Sequence, residues 1–238
     1  MRVLIIIPAY NEEENIEKVV NNLVENYNYY DYLIVNDGST DATEQICKKN
    51  GYCYVTMTAN LGIGGGVQAG YEYARRYDYD IAVQLDGDGQ HDPAYIENMI
   101  EEIRNTGCDM VVGSRFITNE GFRTSKGRRA GIYILNRIIW LCCKIHITDC
   151  TSGFRACSKE LIHFFASNYA YDYPEPEAIV KAGLNGYKVK EIPVVMKERG
   201  GGQSSITIGR SVYYMVKVTL SIVLCRLQEQ EKRNRRDG

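Results

Sequence analysis

The stretch IAVQLDGDGQ at residues 81–90 decides how this chain is interpreted. Residues 81–85 form a short apolar run, which predicts a buried strand. Asp86 and Asp88 follow it, and the intervening glycine lets the backbone turn tightly enough for both carboxylates to face one ion. Mg²⁺ is held by one or two carboxylates and completes its shell with substrate phosphates. The stretch therefore predicts a divalent-cation site for a nucleoside diphosphate, although Asp and Gly are also ordinary turn residues.

Strand-like and helical patterns alternate on both sides of this stretch. Helical patterns separate the strand-like runs and cover residues 16–24, 40–44 onward, 66–77 and 93–105, and later 127–145, 177–184 and 210–227. The runs themselves lie at 3–7, 32–35, 53–57, 81–85 and 109–113, with later ones at 153–157 and 187–191. Such alternation predicts a mostly parallel sheet with helices on both faces. Because ligands bind at the carboxyl ends of parallel strands, the polar segments 8–12, 36–39, 60–62 and 86–90 predict a nucleotide cleft.

Composition excludes several classes of protein. The chain has 238 residues, of which 45% are hydrophobic and 24% charged, as in an ordinary globular domain. Its net charge of −2 gives no case for nucleic-acid binding. Residues 115–137 and 199–238 are each +5, however, which is expected either of a site for a phosphate-bearing partner or of solvated helix faces. The eight cysteines lack paired zinc spacing and indicate free thiols in the cytoplasm.

The glycine cluster at residues 62–66 has two interpretations. A dinucleotide fingerprint would follow the first strand with a different spacing, and a phosphate-binding loop would end in Gly-Lys-Ser/Thr. The cluster fits neither pattern. It is predicted to be either a loop that lets the backbone approach a nucleotide or a turn that starts a helix without any ligand.

Taken together, the polar segments resemble the family 2 inverting glycosyltransferases, which have the GT-A fold. The matching stretches are residues 5–14, 35–41, 60–62 and 85–91. A narrower likeness to the dolichol-phosphate mannose synthase branch rests on residues 113–115, 149–155, 191–193 and 199–204. The likeness covers about residues 3–205. It implies a GT-A domain over residues 1–209, built on a Rossmann-like, mostly parallel sheet, followed by an amphipathic helix and basic tail at 210–238.

The resemblance also implies roles for individual residues. Asp86 and Asp88, with Gln90, would hold Mg²⁺ or Mn²⁺. The base, ribose and phosphates of a UDP-, GDP- or dTDP-sugar would be held by Pro8, Tyr10, Glu12, Asp37, Gly62 and Asp86. The acceptor phosphate would lie near Arg115, Arg128 or Arg129, and Arg199, since arginine binds phosphate through two hydrogen bonds.

Two departures from the sequence pattern of this branch leave the chemical class of the acceptor undecided. Ser205 stands where a lysine often follows the serine of the Gly-x-Ser loop, and Glu175 is an extra carboxylate two residues before Glu177. A lipid phosphate needs no general base, whereas a sugar hydroxyl does. Asp149, Glu175 and Glu177 are therefore candidate catalytic carboxylates, with Arg115 as a further catalytic candidate. Polyprenyl phosphate or a lipid-linked glycan is the first choice of acceptor. A soluble enzyme acting on a sugar hydroxyl in surface-polysaccharide synthesis and a nucleotide-sugar-binding scaffold are the alternatives.

The C-terminal helical pattern carries more apolar residues than one narrow stripe requires. It is too short and too charged to cross a bilayer. We expect it to be covered by a membrane surface, a second subunit or its own domain. The absence of a signal-peptide pattern leads us to expect a cytoplasmic protein that can lie at the inner face of the cell membrane.

Overall fold

The computed structural model describes residues 1–118, 126–171, 173–197 and 215–228, except for the side chains of Lys126 and Arg128. Arg199, the segment 200–205, the boundary between 209 and 210 and the tail 229–238 lie outside the described residues. The strands are β1 Val3–Ala9, β2 Asp31–Asn36, β3 Tyr54–Thr56, β4 Ile81–Gln84, β5 Met110–Ser114, β6 Arg155–Ser158 and β7 Val189–Pro193. The helices are α1 Ile16–Asn26, α2 Thr43–Asn50, α3 Gly62–Arg76, α4 Ile96–Thr106, α5 Lys126–Cys143, α6 Lys159–Asn168, α7 Pro174–Leu184 and α8 at 215–228.

The seven strands form one sheet in the order β3-β2-β1-β4-β6-β5-β7. All neighbouring pairs are parallel except those of β6, which runs antiparallel to both β4 and β5. Two apolar clusters cover the two faces. One packs α3, α5, α6, α7 and α8 against the sheet, and the other packs α1, α2 and α4. The prediction of a GT-A type α/β fold with a mostly parallel sheet is confirmed.

Three local predictions need correction. Of the two interpretations of the glycine cluster, the loop is wrong and the structure has a helix start, because α3 begins at Gly62 itself. A side chain at Gly64 would come within 2.1 Å of the Ala170 carbonyl oxygen, so the start of α3 packs closely on the 170–171 backbone. Helix α6 was not predicted at all. Finally, a short 3₁₀ turn at Pro93–Tyr95, capped by Asp92, precedes α4.

Helix α8 is covered on one side only. Val218, Ile222 and Cys225 are buried against the domain. Ser221 donates a hydrogen bond of 2.6 Å to Glu177 of α7. The opposite side exposes apolar residues, each between 42% and 57% accessible: Val216, Leu220, Val223, Leu224 and Leu227. No helix within the described ranges is both long and apolar enough to span a membrane.

Candidate active site

Three loops meet at the carboxyl ends of β1, β2 and β4. The backbone N–H of Asp37 donates to the Ala9 carbonyl oxygen at 2.9 Å, and that of Gly87 donates to the Pro8 carbonyl oxygen at 3.3 Å. A side chain at Gly87 would lie 3.1 Å from the Pro8 carbonyl oxygen, a tight contact that glycine avoids. The predicted clustering of polar segments at one edge of the sheet is therefore present in the structure.

Asp37 is the buried carboxylate of this edge. It is 4% exposed, and its Oδ1 accepts a hydrogen bond of 2.8 Å from the backbone N–H of Leu61. Gly66 lies against it, since a side chain there would be 3.8 Å from Cβ of Asp37. Gly62 has a positive φ of 77°, and Tyr10 is 47% exposed at the opposite rim. Pro8, Tyr10, Glu12, Asp37 and Gly62 thus border the same edge of the sheet.

Asp86 is held from two sides. Gln84 Nε2 donates to its Oδ1 at 3.0 Å, and His91 Nε2 lies 3.7 Å from its Oδ2. The backbone N–H of Asp86 donates to His91 Nδ1 at 3.1 Å, so the proton of a neutral His91 ring lies on Nε2 and faces the carboxylate. The His91 ring stacks on Phe154 with centroids 4.8 Å apart. His91 therefore orients Asp86, a role that the sequence did not suggest.

Asp88 and Gln90 complete the loop. The backbone N–H of Gln90 donates to Oδ1 of Asp88 at 3.0 Å, while Gln90 Nε2 donates to the Lys197 carbonyl oxygen at 3.4 Å. The described residues contain no group of three or more His, Cys, Asp or Glu side chains that could hold a metal. Two carboxylates still fit Mg²⁺ or Mn²⁺, because these ions take oxygen ligands and share their shell with substrate phosphates.

Arg115 and Asp149 form a buried ion pair beside this loop. Arg115 donates from Nε and Nη2 to the two carboxylate oxygens at 2.6 and 2.8 Å. Asp149 is fully buried, and Arg115 is 12% exposed. Burial opposes the charge of Arg115, but the hydrogen bond and charge of Asp149 prevail and raise its pKa. Asp149 is therefore fully engaged and placed to orient Arg115.

Glu191 of β7 fixes the loop that carries Asp149. Its carboxylate accepts from the backbone N–H groups of Thr148 and Asp149 at 2.7 and 2.9 Å. Burial raises the pKa of Glu191, although these hydrogen bonds oppose the rise. Ser114 and Thr148 also share a hydrogen bond of 2.7 Å between their hydroxyl groups. The Arg115–Asp149 pair is thus tied to β5 and β7.

Arg155, on β6, is 1% exposed. It pairs with Gln84 across β4 and β6, and it donates from Nε and Nη2 to the carbonyl oxygens of Ser152 and Cys150. Three buried polar atoms of the described residues have no hydrogen-bond partner: Gln84 Oε1, Arg155 Nη1 and Tyr169 OH. Such groups are rare in folded proteins. Gln84 is the strand partner of Arg155 and donates to Asp86, and the charges of Arg155 and Asp86 act on Tyr169, so all three side chains are linked to this site.

Glu175, on α7, is under the influence of charges at this site. Loss of hydration raises its pKa, the charge of Arg155 lowers it, and the charge of Asp86 raises it further. Glu177 points elsewhere: it accepts from Ser221 and pairs with Lys181 at 3.0 Å. Of the three predicted catalytic carboxylates, Asp149 is occupied by Arg115, Glu177 contacts α8, and Glu175 is the one in electrostatic contact with Asp86.

Arg129 is a second basic side chain in the neighbourhood of Arg115. Its guanidinium lies 5.5 Å from the centre of the Phe116 ring, and that of Arg115 lies 5.4 Å from the same ring. The side chain of Arg128 is outside the described part. The sequence analysis assigned no role to Arg155, Gln84 or Tyr169. Arg155 lies in the matching stretch 149–155, and Gln84 is a polar residue inside a predicted buried strand.

Comparisons with known proteins agree with this geometry. The model of the family described as glycosyl transferase family 2 matches residues 4–165. The UDP-N-acetylglucosamine–dolichyl-phosphate N-acetylglucosaminyltransferase of Methanococcus voltae is 32% identical over 89% of this chain and 93% of its own length. The polyprenol monophosphomannose synthase of Mycolicibacterium smegmatis is 26% identical over 87% of this chain and 81% of its own.

Solved structures show the same fold. Glucosyl-3-phosphoglycerate synthase from Mycobacterium tuberculosis, in complex with Mn²⁺, UDP and phosphoglyceric acid, superimposes with a TM-score of 0.69. The alignment covers 94% of this chain and 78% of that one, with 16% sequence identity. At this identity the likeness concerns the fold alone.

Proposed function

Because this chain belongs to glycosyl transferase family 2 and is a glycosyltransferase, we propose that it transfers a sugar from a nucleotide-sugar donor to a polyprenyl phosphate or lipid-linked glycan, with inversion at the anomeric carbon. The observation that carries the proposal is the meeting of Asp37, Asp86 and Asp88 at one edge of the sheet, next to the Arg115–Asp149 pair. The relative from Methanococcus voltae is named for a dolichyl-phosphate acceptor, which supports this acceptor class.

On the donor side, Asp37 would accept hydrogen bonds from the base or ribose, beside Tyr10 and Pro8. Asp86 and Asp88 would hold a divalent cation, with Gln90 close by. When bound, that cation supplies positive charge for the departing nucleoside diphosphate. His91 and Gln84 keep the Asp86 carboxylate turned toward the loop, so its geometry is set before the donor arrives.

On the acceptor side, Arg115 and Arg129 would hold the phosphate. Asp149 fixes the orientation of Arg115, which then presents a rigid, charged edge to the site. A phosphate acceptor is already anionic and can attack without losing a proton to the protein. This agrees with the engagement of Asp149 by Arg115 and of Glu177 by Ser221 and Lys181.

A second candidate is transfer to a sugar hydroxyl, which Glu175 favours. Lost hydration raises the pKa of its carboxylate although Arg155 opposes the rise, and the charge of Asp86 raises it further, as suits a group that must accept a proton. For this acceptor, Glu175 would be the general base.

The donor half of the proposal is tested by thermal unfolding with UDP-, GDP- and dTDP-sugars, with and without Mn²⁺. A ligand at 100 times its Kd adds about 2.7 kcal/mol to the free energy of unfolding. We expect one nucleotide class to raise the melting temperature only when Mn²⁺ is present. A shift of equal size in chelator would contradict the metal site, and no shift with any donor would contradict the nucleotide site.

A further inference from the structure

The four residues after β7, 194–197, connect the two sides of the candidate active site. At the start of this segment the Val194 N–H donates to the Ser114 carbonyl oxygen of β5 at 3.0 Å. At its end the backbone reaches the 86–92 loop. Val194 and Met196 are buried in the apolar cluster that also packs α1 and α4, so the core anchors the segment between these two contacts. We name residues 194–197 the bridging segment.

The backbone of Lys197 is bonded to the 86–92 loop in both directions. The Lys197 N–H donates to the Gln90 carbonyl oxygen at 3.0 Å, and Gln90 Nε2 donates to the Lys197 carbonyl oxygen at 3.4 Å. The Gln90 N–H donates in turn to Oδ1 of Asp88 at 3.0 Å. A continuous series of hydrogen bonds therefore leads from Lys197 to a carboxylate that is proposed to bind the cation.

The side chain of Lys197 holds the same loop at a second point. Its ammonium lies 3.0 Å from Oδ2 of Asp92, while Oδ1 of Asp92 accepts from the Ala94 N–H at 3.1 Å. The Asp92 carboxylate thus ties the end of the loop both to the bridging segment and to the 3₁₀ turn that follows. Lys197 contacts the loop on each side of its glycine-rich part without contacting Asp86 or Asp88 itself.

The loop needs such support, because Gly89 has a positive φ of 76° and glycine leaves the backbone many conformations. Two carboxylates that bind one ion must be held to within about 0.5 Å. We propose that Lys197 is a positioning residue, which holds the 86–92 loop in the geometry that binds the cation. This inference rests on the proposed function and adds to it a residue that needs to touch neither cation nor substrate.

Three substitutions at Lys197 remove its contacts stepwise. Lys197→Arg keeps the charge and the N–H, Lys197→Met removes the charge, and Lys197→Pro removes both. With whichever of UDP or GDP binds, the Kd for Mn²⁺ measured by electron paramagnetic resonance should be unchanged for the arginine variant. It should rise about threefold for methionine and about tenfold for proline, as expected for an exposed ion pair and one backbone hydrogen bond. A proline variant with the wild-type Kd would overturn the proposal.

Lys190→Met is the matched control. Lys190 of β7 pairs with Glu102 of α4 at 2.8 Å, and the side chains of Glu102 and Asp92 are both 29% exposed. Urea unfolding should show that Lys190→Met and Lys197→Met destabilise the fold to the same small extent, whereas only the latter should weaken Mn²⁺ binding. An equal loss of Mn²⁺ affinity in both variants would show a general effect on stability and contradict the positioning role.

Hydrogen exchange gives a readout that needs no cation. In the protein without nucleotide or Mn²⁺, the backbone amides of residues 86–92 should exchange faster in Lys197→Met and fastest in Lys197→Pro. Lys197→Arg and Lys190→Met should exchange like the wild type. Unchanged exchange across this loop in Lys197→Pro would contradict the proposal.

Transfer kinetics separate this inference from the proposed function. With a polyprenyl phosphate acceptor, Lys197→Met should raise the Mn²⁺ concentration for half-maximal rate but leave KM for the acceptor unchanged, because Asp149 holds Arg115 through two hydrogen bonds of its own. An equal rise in both constants would overturn the role at the 86–92 loop. A wild type that binds Mn²⁺ and nucleotide but transfers no sugar would overturn the proposed function, and the binding and exchange data would still decide on Lys197. A wild type that binds no Mn²⁺ would overturn both.

Discussion

At the residue scale, Asp86 and Asp88 are the side chains on which the chemistry depends. Asp88→Asn should lower turnover by about 10²–10³-fold, since it weakens binding of the cation whose charge stabilises the leaving group. Asp78→Asn is the control, because that carboxylate is 75% exposed on the turn after α3. Initial rates over a Mn²⁺ titration measure the effect. Full activity of Asp88→Asn in chelator would rule out the two-carboxylate site.

Asp37 should act on binding rather than on turnover. Asp37→Asn removes the charge but keeps an acceptor oxygen for the N–H of Leu61, so the loop should keep its shape. Loss of a hydrogen bond to a charged group should weaken nucleotide affinity by about 10–100-fold. Calorimetry with UDP and GDP in the presence of Mn²⁺ provides the test. Unchanged affinity for whichever nucleotide binds the wild type would show that Asp37 does not contact it.

The sequence could predict those residues that sit directly after a strand, but not those that support them. Asp37, Asp86 and Asp88 were identifiable because they follow the carboxyl ends of parallel strands, where ligands bind. Arg155 and His91 lie in matching stretches, but their roles were not identifiable, because their partners are backbone carbonyls and a carboxylate that only the folded chain brings near. Their contribution depends on tertiary distance, which spacing along the chain does not contain.

At the element scale, the ends of β5 and β7 hold the Arg115–Asp149 pair, through the bonds of Ser114 and Glu191 to Thr148 and Asp149. Arg115→Ala would leave the buried Asp149 carboxylate without its cationic partner, which typically costs about 3–5 kcal/mol in the free energy of unfolding. Arg115→Lys keeps a charge but cannot form the two-point contact. We expect urea unfolding to rank the alanine variant least stable and both variants defective in transfer. Wild-type stability of Arg115→Ala would contradict the structural role of the pair.

Glu175 of α7 allows a test of the alternative acceptor, a sugar hydroxyl. With a lipid phosphate as acceptor, Glu175→Gln should change turnover little. With a hydroxyl acceptor, it should cost about 10²–10⁴-fold. Glu160→Gln, on the exposed face of α6, is the matched control.

The pKa of Glu175 also predicts how stability depends on pH. Lost hydration raises this pKa, and Arg155 only partly opposes the rise. The folded state therefore binds the proton more tightly than the unfolded state. As pH rises from the ordinary glutamate range through the raised pKa, the wild type should lose stability relative to Glu175→Gln. Urea unfolding of both proteins over this range measures the difference, and a constant difference would contradict the burial of the carboxylate.

The start of α3 and the whole of α6 could not be predicted with certainty from the sequence. Glycine is a poor helix former, so the cluster at 62–66 left a loop and a helix start as alternatives. The structure instead uses Gly64 to bring α3 onto the 170–171 backbone, and Gly70 approaches Ile6 in the same way. A packing constraint from a distant segment decided this helix. Helix α6 has a Ser158 cap, whose hydroxyl accepts from the Leu161 N–H, a signal that was present in the sequence.

At the scale of the whole molecule, α5 and α8 both expose apolar side chains, and the two helices adjoin where Arg226 donates to the Leu141 carbonyl oxygen. Soluble monomers rarely expose large apolar patches, so we expect this surface to meet a membrane or a second copy of the chain. Deleting α8 is a poor test, because Val218, Ile222 and Cys225 belong to the core. The double variant Leu220→Asp and Leu224→Asp changes only the exposed side.

The wild type should bind vesicles that contain anionic lipid, and salt should weaken the binding, since each basic residue near the surface contributes about 1 kcal/mol. The double aspartate variant should stay in solution, whereas Tyr29→Asp should bind like the wild type. Sedimentation with vesicles measures both. A wild-type chain that ignores vesicles and sediments alone as a dimer would assign the surface to a second subunit.

The central claim concerns the acceptor, and one assay addresses it most directly. The full chain, Mn²⁺ and a panel of UDP-, GDP- and dTDP-sugars are incubated with polyprenyl phosphate and with a soluble oligosaccharide side by side. The product is identified by mass spectrometry, and its anomeric configuration is determined by NMR. We predict a sugar attached to the lipid phosphate with inverted configuration. Product on the oligosaccharide alone would contradict the account.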